Sequence, residues 1–583
     1  MSTSLFHENN VYLDDFIIAK GNLGVKWISG TCPDNAFMLS CKHNKCGEVI
    51  RKLEKSFNVN GICYPDENYM VNLDSRMKKI KKLVDSQKYF VVSRARQYGK
   101  TTTLWALKQY LKEEYIVLSM SFQRMSSAVF QDEYTFSREF AKLVTRIIKN
   151  KRQGITGVEE TEIRALERSI KDDRMNLADL FHLLSNLCET SEKPVVLIID
   201  EVDSASNNQV FLDFLGMLRD YYLDRKQTAI FKSVILAGVY DIKNLKQKIR
   251  SDVVQRYNSP WNIAADFDVD MSFSTQDIAG MLADYENDHQ TGMDIERVAE
   301  NIYEYTSGYP YLVSRICMLL DEQIAGRESM ETGKCMWSET GITEAVKLLL
   351  NESNTLFDDM RKRITDYPEL KRMLYAILFY GQDFAYNPDN FVIDIGKMFG
   401  FLKESHGQVA IANRIFETRI YNLFLSEESL DDKLYKAASE IKSQFFQGGR
   451  LNMDVVMTKF MQHFTDVYGD STDVFKEENG RRLFLLYLKP IINGKGNYYI
   501  EAQTRSQRRT DVVIDYMGQQ AVVEMKIWRG EEYNRRGEEQ LFDYLEYYHL
   551  DRGYLLSFNF NKKKRAGVKE IRYREKTILE VVV

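Results

Sequence analysis

Residues 89–105 read YFVVSRARQYGKTTTLW. Gly99, Lys100 and Thr101 end this stretch as a phosphate-binding loop ends, yet Arg94 stands where such a loop opens with glycine. The flanks decide the reading. KYFVVS (88–93) is a short apolar run, and TTTLWALKQYLKEEY sets Leu104, Leu107 and Leu111 at helical spacing, which predicts strand, loop, helix. Backbone N–H groups at such a helix start, with the positive end of its dipole, hold an anion. Gly99 lets the backbone turn close to phosphate, Lys100 reaches the β and γ oxygens, and the Thr101 hydroxyl joins a Mg²⁺ shell. The nucleotide-binding candidates are Arg96, Gln97, Tyr98, Gly99, Lys100, Thr101 and Thr102.

A damaged loop needs support from elsewhere, and KPVVLIIDEVDS (193–204) supplies it. Five apolar residues read as a buried strand ending in Asp200 and Glu201. In this Walker B arrangement Asp200 holds Mg²⁺, usually through water, and Glu201 polarises the water that attacks ATP. SVILAGVYD (233–241) reads as the next core strand. Its polar end, Tyr240 or Asp241, is either a γ-phosphate sensor or a strand cap.

The 583 residues exceed what one core organises, so several units are expected. We place them at 1–58 (role unknown), 59–275 (an α/β P-loop core with a parallel sheet), 276–345 (helical lid), 346–430 (helical connector) and 431–583 (a C-terminal α/β domain). Hydrophobic residues make up 44% and charged ones 28%, and eight prolines leave no room for long Pro-rich linkers, so most of the chain is expected to fold. No apolar run nears the roughly 20 residues of a membrane span, and MSTSLFHENN lacks a signal-peptide pattern. The chain reads as cytoplasmic. Seven cysteines, thinly spread, read as free thiols. Cys41, His43 and Cys46, with Cys32 and Cys63 near, invite a zinc reading, but paired ligand knuckles at defined spacing are missing, and ordinary thiols are preferred.

The net charge of −5 hides an asymmetry: residues 481–583 carry 20 Lys and Arg against 14 Asp and Glu. RSQRR (505–509), Arg535 with Arg536, and NKKKRAGVKEIRYREK (561–576) are interleaved with Tyr533 and Tyr573. This pattern suits phosphate neutralisation, the alternative being a solvated face.

The same region holds RRTDVVIDYMGQQAVVEMKIWRG (508–530), which reads as a hairpin turning near Gly518. Residue 511 then pairs with 524 or 525, and Lys526 shares the face of Glu524 because side chains alternate. Asp511 and Glu524 can bind Mg²⁺ or Mn²⁺ through hard oxygens, with Lys526 positioning water against a phosphodiester. A cross-strand salt bridge on a solvated hairpin is the alternative. EENGRRLFLLYLKPIIN (477–493) reads as a helix in which Glu477 or Glu478 adds a carboxylate, NYYIEAQ as a strand, and GYLLSFNF as a final apolar strand. In GEEQLFDYL, Gln540 and Tyr544 fall one helical turn apart.

SRARQYGKTT, LIIDEVD, AGVYDIKNL and YNSPWNIAADF, with GICYPDENYMVNLDSRM upstream, closely resemble the AAA-ATPase-like bacterial proteins that carry a C-terminal PD-(D/E)XK nuclease-like domain. The resemblance covers about residues 59–345 strongly. It implies that an Arg-rich stretch before GK[ST] habitually replaces the glycine-opened loop, so Arg94 does not mark a dead site. SGYPYLVSRI (307–316) resembles the Gly-x-Pro helix start in the lid of related signal-transducing ATPases. Arg315 is the candidate to approach nucleotide there, or else a lid-surface arginine. Helix, strand, hairpin, helix and strand is the PD-(D/E)XK order, Gln540 with Tyr544 resembles the Q-x-x-x-Y motif of RecB-like nucleases, and Glu501 is a candidate strand glutamate. The expectation is an ATP- and Mg²⁺-dependent switch joined to a metal-dependent nuclease acting on nucleic acid, DNA above all. The alternative is a signalling or remodelling ATPase whose C-terminal domain only binds DNA or a protein partner, with self-association left open.

Overall fold

The computed structural model describes residues 55–583 apart from 206–207, 240–260, 325–335, 381, 429–431, 469–476, 494–495, 501–511, 528–530 and 560–565; before residue 55 it describes the backbone of four short strands. The chain divides into two compact units, residues 1–58 with 63–70, and residues 59–62 with 71–583. In the first unit β1 (Asn10–Leu13) pairs antiparallel with β2 (Phe16–Ala19), and β3 (Phe37–Ser40) with β4 (Gly47–Ile50). Of the residues weighed as zinc ligands, Cys32, Cys41, His43 and Cys46 lie outside the described residues, and the Cys63 thiol donates to Asn58 O at 3.9 Å.

The second unit begins with helix α1 (Asp74–Asp85), strand β5 (Phe90–Ser93), α2 (Lys100–Leu111) and β6 (Ile116–Ser121). After them come α3 (Glu133–Lys149), α4 (Glu160–Ser169), α5 (Leu177–Thr190), β7 (Val195–Asp200), α6 (Gln209–Leu223) and β8 (Ser233–Gly238). The strands form a parallel sheet in the order β5-β8-β7-β6, and Ala265 adds a parallel bridge to Phe90 of β5. Helices cover both faces, which is why β7 reads as unbroken apolar sequence. Val196 and Ile198 pack with Met77 and Ile80 of α1 and Leu104 and Leu107 of α2. Val195, Leu197 and Ile199 point the other way, toward Phe140 of α3, Leu184 of α5 and Phe214 of α6. The sequence-read strand ends therefore share one edge: Ser93 and Asp200 both close their strands at the C-terminal side, with β8 between them. Ligands of open α/β sheets bind at that edge.

Three helices follow, α7 (Thr275–His289), α8 (Ile295–Thr306) and α9 (Pro310–Leu319). At Gly308, φ is +71° and a Cβ would stand 2.0 Å from Phe273 O, so the turn into α9 admits only glycine. Next come α10 (Glu339–Asn351), α11 (Thr355–Asp366), α12 (Pro368–Tyr380), α13 (Phe391–Met398), β9 (Leu402–Ser405), β10 (Gln408–Ile411) and α14 (Arg414–Glu428). The 346–430 segment, expected to be helical, thus also holds an antiparallel hairpin. It closes on His406 (φ 51°) and Gly407 (φ 79°), the paired left-handed conformation of a tight hairpin turn, supplied here by a histidine instead of the usual Asn or Asp.

The C-terminal part contains α15 (Lys433–Glu440), the short pair β11 (Phe446–Gln447) and β12 (Arg450–Leu451), α16 (Met453–Tyr468), α17 (Glu477–Ile492) and β13 (Gly496–Ile500). It ends with β14 (Val512–Tyr516), β15 (Gln519–Ile527), α18 (Glu531–Tyr547), β16 (Arg552–Phe558), β17 (Gly567–Tyr573) and β18 (Lys576–Val582). One six-stranded sheet runs β13-β14-β15-β16-β18-β17, parallel only at β15–β16 and β16–β18. α17 packs on one face, where a Cβ on Gly480 would come 2.3 Å from the Phe558 ring. α18 packs on the other, where a Cβ on Gly537 would lie 3.4 Å from Lys526 and from Leu555. Part of the basic run 561–576 is strand β17. Among the described residues no helix is long and apolar enough to cross a membrane.

Candidate functional site

At the C-terminal end of β5 the chain turns through Gln97 (φ 55°) and Gly99 (φ 74°) into α2. Nothing lies within 4 Å of where a Gly99 Cβ would point, so the left-handed φ is what asks for glycine there. Arg94 does not fill the hollow of the loop. Its guanidinium donates to Ser93 O at 2.8 Å and Val269 O at 2.9 Å and lies over the Phe267 ring, 5.4 Å from the centroid. Arg94 is therefore a strut that fastens residues 267–269 beside β5, and its backbone N–H bonds Gly238 O at 3.2 Å. A glycine there would lose the side-chain bond to Val269 O and the contact with the Phe267 ring, leaving residues 267–269 to their packing in the core.

Lys100 is 7% exposed and donates to Arg94 O at 3.0 Å and Ala95 O at 2.9 Å. Burial lowers its pKa, while Glu201, Asp203 and Asp200 pull it back up. Thr101 Oγ1 donates to Asp200 Oδ2 at 2.9 Å, joining the two sequence motifs across 99 residues. Asp200 Oδ1 accepts from the Glu201 N–H at 2.9 Å. Glu201 itself is left-handed (φ 54°), and its pKa is raised, first by burial and then by Asp200. Asp203 accepts from Val239 N–H at 2.6 Å and so closes the end of β8. Thr102 is half-buried in the first turn of α2. Tyr240 and Asp241 lie outside the described residues.

The donor set fits a magnesium nucleotide: a buried ammonium on exchangeable carbonyls, a hydroxyl already bonded to a carboxylate, and a second acid beside it. The remaining loop candidates face later parts of the chain. Arg96 Nε lies 3.6 Å from Asp359 Oδ1, Gln97 Nε2 donates to Thr355 Oγ1 at 3.2 Å, and the Tyr98 and Tyr309 rings meet edge-on at 4.7 Å. Burial pushes the Tyr98 hydroxyl up to about 12. The Tyr309 hydroxyl also donates to Arg96 O. Arg315, weighed as a nucleotide contact, is bound to Glu352, Nε to Oε1 at 3.0 Å and to Oε2 at 3.2 Å, an ion pair that raises its pKa.

In the C-terminal sheet, β14 and β15 pair from Tyr516 with Gln519 to Val512 with Val523, turning through Met517 and Gly518, both at positive φ. Asp511 and Glu501 lie outside the described residues, as do the side chains of Glu477 and Glu478. Glu524 is fully buried, and Lys526 Nζ lies 2.9 Å from its Oε1. On α18, Gln540 is half-buried and Tyr544 is buried; with Gly537 they fall on the side that packs over Lys526. Among the described residues no three His, Cys, Asp or Glu side chains gather as a metal-holding group. Sequence reading missed Asp515, 2% exposed, whose Oδ1 lies 2.7 Å from Lys347 Nζ of α10 and accepts from Gly518 N–H. It also missed Asp359 and Thr355. No local signal marks them, because each meets its partner across more than 150 residues of sequence.

A family model described as an AAA-like domain matches residues 69–332. No curated protein matches the chain. Among solved structures the chain is similar to a Walker-type ATPase of Pyrococcus abyssi, at 13% identity and TM-score 0.43, covering 62% of this chain and 99% of that one. It is also similar to the Aeropyrum pernix ORC1 protein in complex with DNA, at 10% identity and TM-score 0.27, covering 62% and 94%. A Thermotoga maritima RuvB mutant matches at 11% identity and TM-score 0.29, covering 58% and 92%.

Proposed function

We propose that this chain is an ATP-hydrolysing switch whose C-terminal domain acts on nucleic acid. The observation that carries the ATPase reading is the Thr101–Asp200 hydrogen bond, flanked by Lys100 and Glu201. The AAA-like match over the same residues supports it. Bound Mg²⁺ would neutralise phosphate charge, held by Thr101 and Asp200. Lys100 would exchange its two loop carbonyls for β and γ oxygens, and the N–H groups that open α2 would receive the phosphates. Glu201, whose raised pKa makes it a readier proton acceptor than an ordinary carboxylate, would orient and deprotonate the attacking water.

For the C-terminal domain the reading is a PD-(D/E)XK-like nuclease using Mg²⁺ or Mn²⁺. In support, α17, β13, β14, β15, α18 and β16 follow one another in that order, and Glu524 and Lys526 share the face beneath α18. Asp511 would be the second carboxylate, and Gln540 and Tyr544 would line the same side. A second reading, a domain that only binds nucleic acid or protein, is favoured by one observation: Glu524 already occupies the ammonium of Lys526. The test is one assay set on the full chain, with labelled single- and double-stranded DNA and RNA, Mg²⁺ or Mn²⁺, and ATP. Phosphodiester cleavage abolished by Asp511→Asn and Glu524→Gln supports the nuclease. Metal-independent binding without cleavage supports the second reading, and ATP turnover unaffected by Lys100→Ala sinks the switch.

A further inference from the structure

The phosphate loop is gripped from outside by elements that follow the lid. Besides the Arg96–Asp359 and Gln97–Thr355 contacts, Gly400 (φ +74°) lies so close that a Cβ there would come 3.0 Å from Ala95 Cβ. Lys403 of β9 donates to Ser307 Oγ at 3.2 Å, beside the Gly308 turn. Thr355 and Asp359 both belong to the first turns of α11, and that end of the helix is held in place. Its N-cap Asn354 accepts from Phe357 N–H and donates to Glu352 Oε2, the carboxylate that grips Arg315 of α9. Asp359 also meets Arg363 Nε at 3.3 Å, one turn further on.

Asp359 thus places a fixed negative charge beside a loop suited to a polyphosphate, with Arg96 as the cation between them. The Arg96 side chain is 57% exposed, so its pair with Asp359 is screened and readily exchanged. An incoming triphosphate would compete for the same guanidinium and repel the same carboxylate. Resting on the nucleotide-site reading above, we propose that Arg96 is an exchangeable clasp: it bonds Asp359 when the loop is empty and nucleotide phosphate when it is filled. Nucleotide then loosens α11 from the loop, and Asp359 lowers affinity for nucleotide by an equal coupling. In this scheme Arg315 acts as a positioning residue that reaches the loop through Glu352, Asn354 and Thr355.

The test uses the full chain carrying Glu201→Gln, so that ATP is bound without being consumed. ATP affinity is measured by calorimetry with and without Asp359→Asn, and amide hydrogen exchange of residues 355–366 is followed with and without Mg-ATP. The clasp requires ATP to bind roughly fivefold or more tightly to the Asp359→Asn protein. It also requires 355–366 to exchange faster with ATP in the parent, and to be already fast without ATP in Asp359→Asn. Thr355→Val, which removes a contact but no charge, should loosen 355–366 while changing ATP affinity by less than Asp359→Asn does. Equal ATP affinity in parent and Asp359→Asn, with exchange of 355–366 indifferent to ATP, overturns the clasp and leaves the nucleotide site standing. Failure of the parent to bind ATP overturns both.

Discussion

Lys100 and Lys526 stand at the two candidate sites, and the protein holds them differently. Lys100 rests on two carbonyl oxygens of its own loop, whereas Lys526 rests on the buried carboxylate of Glu524. A carbonyl solvates an ammonium without cancelling its charge. Burial makes Lys100 hold its proton less tightly, and the nearby acids, Glu201 first, oppose that. Glu524 cancels the charge of Lys526. Glu201, Asp203 and Asp200 act on the first lysine through space, whereas the second meets its acid directly, 2.9 Å from Glu524 Oε1. The difference teaches that the same residue type, at two places on one chain, is held by neutral carbonyls in one and by a carboxylate in the other, according to what the fold puts beside it.

The sharpest way to break the comparison is to delete each lysine. Lys100→Ala removes the one cation of the loop bonded to its interior and should lower ATP hydrolysis by at least about 100-fold while leaving thermal stability nearly intact, since its partners are carbonyls that water can satisfy. Steady-state turnover and a melting curve on the same sample check both halves. Lys526→Met should do the reverse to stability. It takes the ammonium away from a carboxylate with no exposure, at a cost on the order of 3 kcal/mol, and a double variant with Glu524→Gln should recover much of that loss. Equal destabilisation by Lys526→Met with and without Glu524→Gln would show that the pair is not what holds that face.

A smaller effect separates loop from strut. Arg94→Gly gives the loop its conventional opening but cuts the guanidinium bonds to Ser93 O and Val269 O, so stability should fall by about 2 kcal/mol in denaturant melts. Hydrolysis should change far less than in Lys100→Ala, because Lys100 needs only the Arg94 carbonyl, which glycine also provides. A gain of both stability and turnover would mean that the arginine is a defect and not a strut.

The parts of this architecture that were legible in sequence are those whose signal is local. The apolar run of β7 ending in Asp200 and Glu201, the helical leucines after Thr101 and the turn at Gly518 each sit within a short window, and each element lies where its pattern puts it. Lys526 on the face of Glu524 followed from strand alternation alone. What sequence could not show are pairings whose only cause is tertiary. Asp359 on Arg96 and Asp515 on Lys347 are ordinary charged residues until the fold brings them together. The hairpin β9–β10 was hidden because His406 adopts a left-handed conformation more often given to Asn or Asp, inside a stretch whose helical neighbours dominate the pattern.

The smallest expected effect tests the electrostatics of the nucleotide site without nucleotide. Burial and the neighbouring Asp200 hold the Glu201 carboxyl above the ordinary carboxylate range. For an acid whose folded pKa exceeds its unfolded one, the folded protein binds the proton more tightly, so stability falls as pH rises between the two values. Above both, the ionised Glu201 is a constant cost. Glu201→Gln should therefore melt at a slightly higher temperature than the parent at neutral pH, and the difference should close as acid protonates Glu201 in the parent. Because the group is only half-buried the gain is modest, and solvent screening keeps it below the loss from Lys526→Met. The same shift sets a functional limb: parent hydrolysis should begin to fall on acidification at a pH above the ordinary carboxylate range, while Glu201→Gln binds ATP and does not turn it over. The two readouts rest on one cause, the raised pKa of Glu201, set first by burial and then by Asp200. If Glu201→Gln melts lower than the parent at neutral pH, Glu201 is a structural anchor and its role as the base at this site loses its physical ground.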